Sequence, residues 1–284
     1  MIYFFVDFVI AGRYNQLYKI TLDCFRGYES MLLTIDIGNT NVTLGAYQGN
    51  NLCFTARLAT DLRMTADQYA IALKDIVGLH GEDYRNIKNC IISSVVPIVG
   101  NAMECAVFLL CNIKPLTLSP GVKTGLNIKI DNPAQLGADL VAGAVGALGE
   151  YPLPCVIIDM GTASTISVLD KNGAFLGGVI AAGVKLTLKA LATNTSQLPA
   201  ININAPQSVI GTNTVDCMNS GLVYGTAAMI DGLLERIFGQ LGEMATVVAT
   251  GGLSKDIIKH CKCDIIYDET LLLKGLKKIY EKNN

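Results

Sequence analysis

Two short runs hold the residue types that phosphate chemistry needs. "LLTIDIGNTNVTLGAY", Leu32 to Tyr47, and "CVIIDMGTAST", Cys155 to Thr165, each end an apolar stretch in an aspartate with a glycine two positions on. Glycine lets the chain turn tightly, and backbone N–H groups beyond the last ladder bond can point at an anion. Asn39, Thr40 and Asn41 add side-chain donors. Asp36 would repel a phosphate unless a divalent cation lay between them, held directly or through water as magnesium usually is. A single such turn is more often a solvated hairpin turn, which uses the same residues. Two copies change the balance: Asp36, Gly38, Asn39 and Asn41 match Asp159, Gly161, Thr162 and Ser164 in spacing. A third turn, "ATGGLSK" (Ala249 to Lys255), puts Gly251 and Gly252 between a strand and a helix, where bare backbone suits a flat base or ribose.

Between the two runs lies "DNPAQLGADLVAGAVGALGEY", in which Asp139 falls in the first turn of a predicted helix. There it either complements the helix dipole, worth about 0.3–1 kcal/mol, or accepts and orients the proton of an attacking hydroxyl. Phosphoryl transfer is mostly positioning and charge neutralisation, so orienting the nucleophile would be as useful as deprotonating it. Serine-hydrolase chemistry is disfavoured, because neither His80 nor His260 lies near a G-x-S-x-G turn. No G-x-x-x-x-G-K-[ST] loop occurs, so an ATP user here must hold phosphate by other means.

The elements that position these residues follow from periodicity. "LLTIDIGN", "VTLGAYQG" and "NLCFTARLAT" read as three strands, and "TADQYAIALKDIVGLHG" as a helix with a Thr cap and a terminal glycine. A buried strand "NIKNCIISSVVP", a helix "IVGNAMECAVFLLCN" and a short apolar segment "PLTLSP" come next. The second half repeats the plan: strands at "CVIIDMG", "TISVLD" and "GAFLGGVIAAG", then helices "KLTLKALAT" and "VDCMNSGLVYGTAAMIDGLLERIFGQLG". "ATVVATGGLSKDIIKHC" reads as strand, turn and helix, before a last strand "DIIYD" and a C-terminal helix. Two similar lobes leave a cleft between them, where ligands prefer to bind.

Composition narrows the function classes. The 284 residues are 51% hydrophobic and 16% charged, a globular balance able to bury a sizeable core. With 22 basic and 24 acidic residues and no basic stripe, nucleic acid is not expected as a partner. Nine cysteines without paired short spacings suggest neither a disulfide framework nor a metal knuckle, and fit the reducing cytosol. No run of 18 apolar residues predicts a membrane span. Residues 1–30 hold eight of the nineteen Phe and Tyr residues and differ in texture from the rest. They are expected to be an extension peripheral to function, with Met31 as the usual start.

Over residues 31–284 the chain resembles the type III pantothenate kinases, of the actin-like, sugar-kinase and Hsp70-like ATPase superfamily. "DIGNTN", "DNPAQLGAD", "DMGTAST" and "ATGGLSK" resemble, in order, the first phosphate motif, the catalytic-aspartate region, the second phosphate motif and the adenosine-side glycines. "GGVIAAG" with "KALATNTSQLP", and "NTVDCMNSG" with "YGTAAMIDGLLERI", resemble further signatures. The resemblance implies an α/β fold of two similar actin-like (ribonuclease H-like) lobes, residues 31–150 and 151–284, each a mixed sheet flanked by helices, with an interlobe cleft. It implies phosphorylation of pantothenate by ATP, the first step of coenzyme A synthesis, in a cytoplasmic homodimer using magnesium and a monovalent cation, potassium or ammonium.

Residue by residue, Asp36, Ile37, Gly38, Asn39, Thr40, Asn41, Val42 and Thr43 would embrace the ATP phosphates, with Asp36 on the magnesium side. Asp139 matches the proton acceptor, Asp159 the monovalent-cation ligand and Thr162 an ATP contact, with Gly251 and Gly252 beside the adenosine. Gly137 and Ala138 would line the substrate pocket, and Thr214 would reach pantothenate near a dimer interface. Three positions depart from the family pattern. Ile130 replaces a tyrosine, Leu140 an arginine that helps hold the substrate, and Ala182 a proline. A lost charged hydrogen bond is worth about 1.5–3 kcal/mol, roughly tenfold or more in binding. Lys185 or Lys189 is expected to restore that charge. The rival reading is a member with a lost or altered acceptor that acts as a nucleotide-binding or regulatory protein. A filament or chaperone ATPase is disfavoured by the Gly-Ala-Asp segment and the short chain.

Overall fold

The computed structural model describes residues 30–284. The expected extension, residues 1–30, lies outside the described residues except for Ser30.

The described residues begin with a meander. Strands β1 (Met31–Ile37), β2 (Asn41–Gln48) and β3 (Asn51–Ala59) pair antiparallel in turn, and β4 (Ile87–Ser94) and β5 (Leu116–Thr117) add in parallel, giving the order β3-β2-β1-β4-β5. The second half repeats it. Strands β7 (Cys155–Met160), β8 (Ala163–Leu169) and β9 (Ala174–Ala182) form the meander, and β10 (Thr246–Thr250) and β11 (Ile266–Tyr267) extend it in parallel, giving β11-β10-β7-β8-β9. The duplication expected from the two Asp-x-Gly runs is therefore a duplication of topology. One short strand breaks the symmetry: β6 (Asn127–Ile128), from the first half of the chain, pairs with β9 at the edge of the second sheet.

Helices cover both faces of each sheet, as the alternation of side chains requires. In β1, Met31, Leu33, Ile35 and Ile37 pack outward against α1 (Ala66–Leu79) and α2 (Pro97–Cys111). Leu32 faces the other way, onto α3 (Ala138–Ala147) and α7 (Leu271–Asn283). In β7, Val156, Ile158 and Met160 pack against α4 (Val184–Asn194), α5 (Thr214–Leu241) and the short α6 (Ser254–Ile257). Cys155 and Ile157 face α3 and α7. The pair α3 and α7 thus fills the space between the two sheets. They cross at backbone contact, because a methyl group on Gly146 would overlap the Leu271 carbonyl and one on Gly275 that of Ala142.

Caps match the sequence signals. Thr65 caps α1 in a reciprocal box, its backbone N–H donating to Gln68 Oε1 at 2.8 Å while its hydroxyl accepts from the Gln68 N–H. Among the described residues no helix is long and apolar enough to cross a membrane.

Candidate active site

The same alternation aims the aspartates. Asp36 shares the inward face of β1 with Leu32, and Asp159 shares the inward face of β7 with Cys155 and Ile157, so both carboxylates look toward the gap between the sheets. Beyond the α3–α7 pair that gap opens into a cleft of about 510 Å³. Asp139 reaches it from the N-terminal turn of α3, with Gly137 at the N-cap. A carboxylate from each sheet and one from the helix between them therefore meet in one cavity.

Each strand carboxylate sits in a row of hydroxyls. Asp36 is opposite Thr43 on β2 and Ser93 on β4, and Asp159 is opposite Thr165 on β8 and Thr250 on β10. The expected one-to-one spacing of the two motifs does not hold past the turn. Asp36 pairs with a residue seven positions on and Asp159 with one six positions on, so Thr43 corresponds to Thr165 and Asn41 does not correspond to Ser164. The first turn contains one more residue, which moves everything after it to the opposite face. Asn41 is accordingly exposed and lines the cleft, while Ser164 is buried.

The electrostatics are those of three crowded carboxylates with no direct ion pair among the described residues, the cleft's cations Arg57, Lys185 and Lys189 lying elsewhere on its wall. Loss of water, then repulsion from Asp139, push Asp36 from its ordinary value of 3.8 up to about 7, and repulsion from Asp159 adds to this while Ser93 partly offsets it. Asp159 is pushed up to about 6 by burial and by Asp139. Asp139 is raised by burial, although its Oδ1 accepts the Leu140 N–H at 2.8 Å. None of the three makes an ion pair among the described residues. No group of three or more His, Cys, Asp or Glu residues there forms a metal cage. Uncompensated carboxylates flanked by hydroxyls suit a cation that arrives with a ligand and keeps several waters, as magnesium does on nucleotide phosphates.

The two glycine turns meet across the cleft. The Gly38 N–H donates to Asn41 O at 3.0 Å, and Thr60 braces the same turn, its hydroxyl donating to Gly38 O at 2.7 Å and its N–H to Thr40 O at 3.0 Å. In the second lobe the Gly161 N–H donates to Ala163 O at 3.0 Å, and the Gly183 N–H to Thr162 O at 3.1 Å. Thr40 Oγ1 and Thr162 Oγ1 share a 2.9 Å hydrogen bond between lobes. Gly251, at φ +94°, brings the third turn against Asp159: a Cβ there would lie 2.7 Å from its Oδ1. Only glycine fits that approach.

Of the residues expected from sequence, Asp36, Gly38, Asn39, Thr40, Asn41, Thr43, Asp139, Asp159, Thr162, Gly251 and Gly252 line the cleft. Ile37 and Val42 point into the core, leaving only their backbone available to the cleft. Gly137, Ala138 and Leu140 flank Asp139 without lining the cavity, and Ile130 packs against the buried cluster that contains Phe175 and Leu169. Thr214 is exposed at the start of α5, away from the cleft. Lys185 and Lys189, one turn apart on α4, line the cleft wall. Thr60, Arg57 and Glu269 carried no sequence signal, because their roles depend on contacts between segments remote in the chain.

The fold and cleft define a two-lobed α/β protein whose duplicated mixed sheets face one another across a cavity. Solved structures of other proteins share the fold, two of them at a TM-score of 0.54. A Campylobacter jejuni protein named provisionally as a Baf family transcriptional activator matches with a TM-score of 0.54 at 18% identity, over 88% of this chain and 97% of its own. A Sinorhizobium meliloti protein named provisionally as a 2-dehydro-3-deoxygalactonokinase matches with a TM-score of 0.54 at 11% identity, over 88% and 96%. The chain belongs to the type III pantothenate kinase family, whose model matches residues 32–236. A type III pantothenate kinase of Brevibacillus brevis is 40% identical over 253 residues, 89% of this chain and 99% of the relative.

Proposed function

We propose that the protein transfers the γ-phosphoryl group of ATP to the hydroxyl of pantothenate, giving 4′-phosphopantothenate in the first step of coenzyme A biosynthesis. Membership of the family supports the activity. The observation that carries the site assignment is the meeting of Asp36, Asp139 and Asp159 in one cleft between duplicated lobes.

In this reading the turn from Asp36 to Thr43 receives the triphosphate, with Ile37 and Val42 contributing backbone only. Thr162 closes over it from the second lobe, and Gly251 and Gly252 lie beside the adenosine. Magnesium, held on the Asp36 side, supplies charge neutralisation for the phosphates. Asp159, flanked by Thr165 and Thr250, is the position for a potassium or ammonium ion. Asp139 accepts the hydroxyl proton of pantothenate as the new O–P bond forms and the bond from the γ-phosphorus to the ADP oxygen breaks. Its raised pKa supports that task, since a carboxylate deprived of water holds a proton more readily.

Gly137, Ala138 and Leu140 sit beside Asp139 behind the acceptor side, and Lys185 and Lys189 on the cleft wall replace the charge that Leu140 lacks. Neither lysine is ion-paired among the described residues. Thr214 can contribute only across an interface with a second copy, and the apolar Val209, Ile210 and Val215 exposed around it support a homodimer. The free thiols of Cys90, Cys105, Cys111, Cys155, Cys217, Cys261 and Cys263 support a cytoplasmic location.

The test is ADP release with and without pantothenate, in potassium and in sodium. Pantothenate-dependent turnover is expected in potassium, and its absence under every cation would sink the assignment. Asp139→Ala should abolish turnover yet leave ATP affinity nearly intact; loss of ATP binding would make Asp139 structural.

A further inference from the structure

The two carboxylate rows end differently. In the first lobe, cross-strand pairing runs Ser93, Asp36, Thr43 and then Arg57 on β3. In the second it runs Thr250, Asp159, Thr165 and then Ile180 on β9. The duplication keeps carboxylate and hydroxyls but replaces an outer cation with an exposed apolar residue. Only the first row therefore ends in positive charge.

Neighbouring strands lie about 4.7–4.9 Å apart, so Arg57 starts roughly 10 Å from Asp36, and its long side chain can reach a group lying over Thr43. The guanidinium is held from the opposite lobe. Its Nη2 donates to Glu269 Oε1 at 3.0 Å, and both residues line the cleft. Glu269 lies between β11 and α7, so the pair joins the two halves of the chain across the cavity. An exposed ion pair contributes little to stability, which leaves placement as its consequence. Guanidinium carries five N–H donors in a planar fork, and those not used by Glu269 suit a phosphate bidentately.

We propose that Arg57 contacts the phosphates of the bound nucleotide and that Glu269 is the positioning residue that orients it from the other lobe. The assignment rests on the reading of the cleft as the ATP site. It places positive charge two strands from Asp36 in the same row, so that the phosphates lie along a wall running from the carboxylate to the guanidinium.

The experiment measures affinities for ATP, ADP and adenosine by calorimetry in the wild type, Arg57→Ala, Glu269→Ala and Glu269→Gln. Arg57→Ala should weaken ATP and ADP by about tenfold or more, the value of a charged hydrogen bond, while adenosine affinity stays within about twofold. Glu269→Ala should weaken ATP by a smaller factor, about threefold, through the rotamer freedom returned to Arg57. Glu269→Gln, whose amide oxygen still accepts the Nη2 N–H, should restore most of it. The KM for ATP should follow these affinities while that for pantothenate stays fixed. Equal loss of ATP and adenosine would make the pair a lobe clasp and overturn the proposal, as would unchanged ATP affinity in Arg57→Ala. A wild type that binds adenosine as tightly as ATP would overturn both this role and the reading of the cleft.

Discussion

Asp36→Asn separates what the site costs from what it does. The carboxyl is raised from 3.8 to about 7. At about 1.36 kcal/mol per unit this amounts to at most about 4 kcal/mol of destabilisation once the group is ionised. Asp36 is partly open to cleft water, so about half of that, roughly 2 kcal/mol, is the better expectation. The folded protein binds more protons than the unfolded chain between the two pKa values, so stability falls as pH rises from about 4 and levels off above about 7. Asparagine carries no charge and removes the penalty. Without nucleotide or magnesium, Asp36→Asn should therefore melt roughly 4–8 °C above the wild type at pH 8, at about 2–4 °C per kcal/mol for a domain of this size. At pH 5 the gain should be less than half as large. Calorimetric melting at both pH values gives the measurement, and adding ATP with magnesium should stabilise the wild type more than the variant. An equal gain at both pH values, or a loss at pH 8, would refute the claim that Asp36 is an uncompensated charge. Turnover should be lost in the variant throughout.

Three further substitutions probe the frame around it. Gly251→Ala forces a Cβ to 2.7 Å from Asp159 Oδ1 and from Met160 O at φ +94°, so it should lower stability by about 1–3 kcal/mol in chemical denaturation and weaken nucleotide binding. Lys185→Ala and Lys189→Ala should each raise the KM for pantothenate severalfold while leaving that for ATP within about twofold; two unchanged pantothenate values would remove both lysines from the acceptor pocket. Gly275→Ala, which collides with the Ala142 carbonyl, should lower kcat as well as stability, because it displaces the helix that carries Asp139.

Much of the frame is written locally. Period-two alternation in "MLLTIDI" and "CVIIDM" dictates that the apolar positions on one face go to the core and that the aspartate lies on the other face, whatever covers it. Thr65 with Gln68 announces a helix start, and the paired Asp-x-Gly runs announce a repeated unit. These are short-range facts, set by sterics within a few residues. Whether Asp139 completes the helix dipole or enters a cleft could not be read there, because both outcomes use the same first turn. The crossing of α3 with α7, allowed by Gly146 and Gly275, places it between the sheets.

Register was likewise out of reach. One extra residue in the first turn makes Thr43 the partner of Thr165, an offset that only the paired strands display. Thr40 with Thr162 and Arg57 with Glu269 are 122 and 212 residues apart. The sequence by itself determined the strands, the turns and which side chains each could offer. Tertiary structure alone decided which of them meet, because a cleft between duplicated lobes is made by packing two distant surfaces around one pair of helices, and no local pattern encodes that distance.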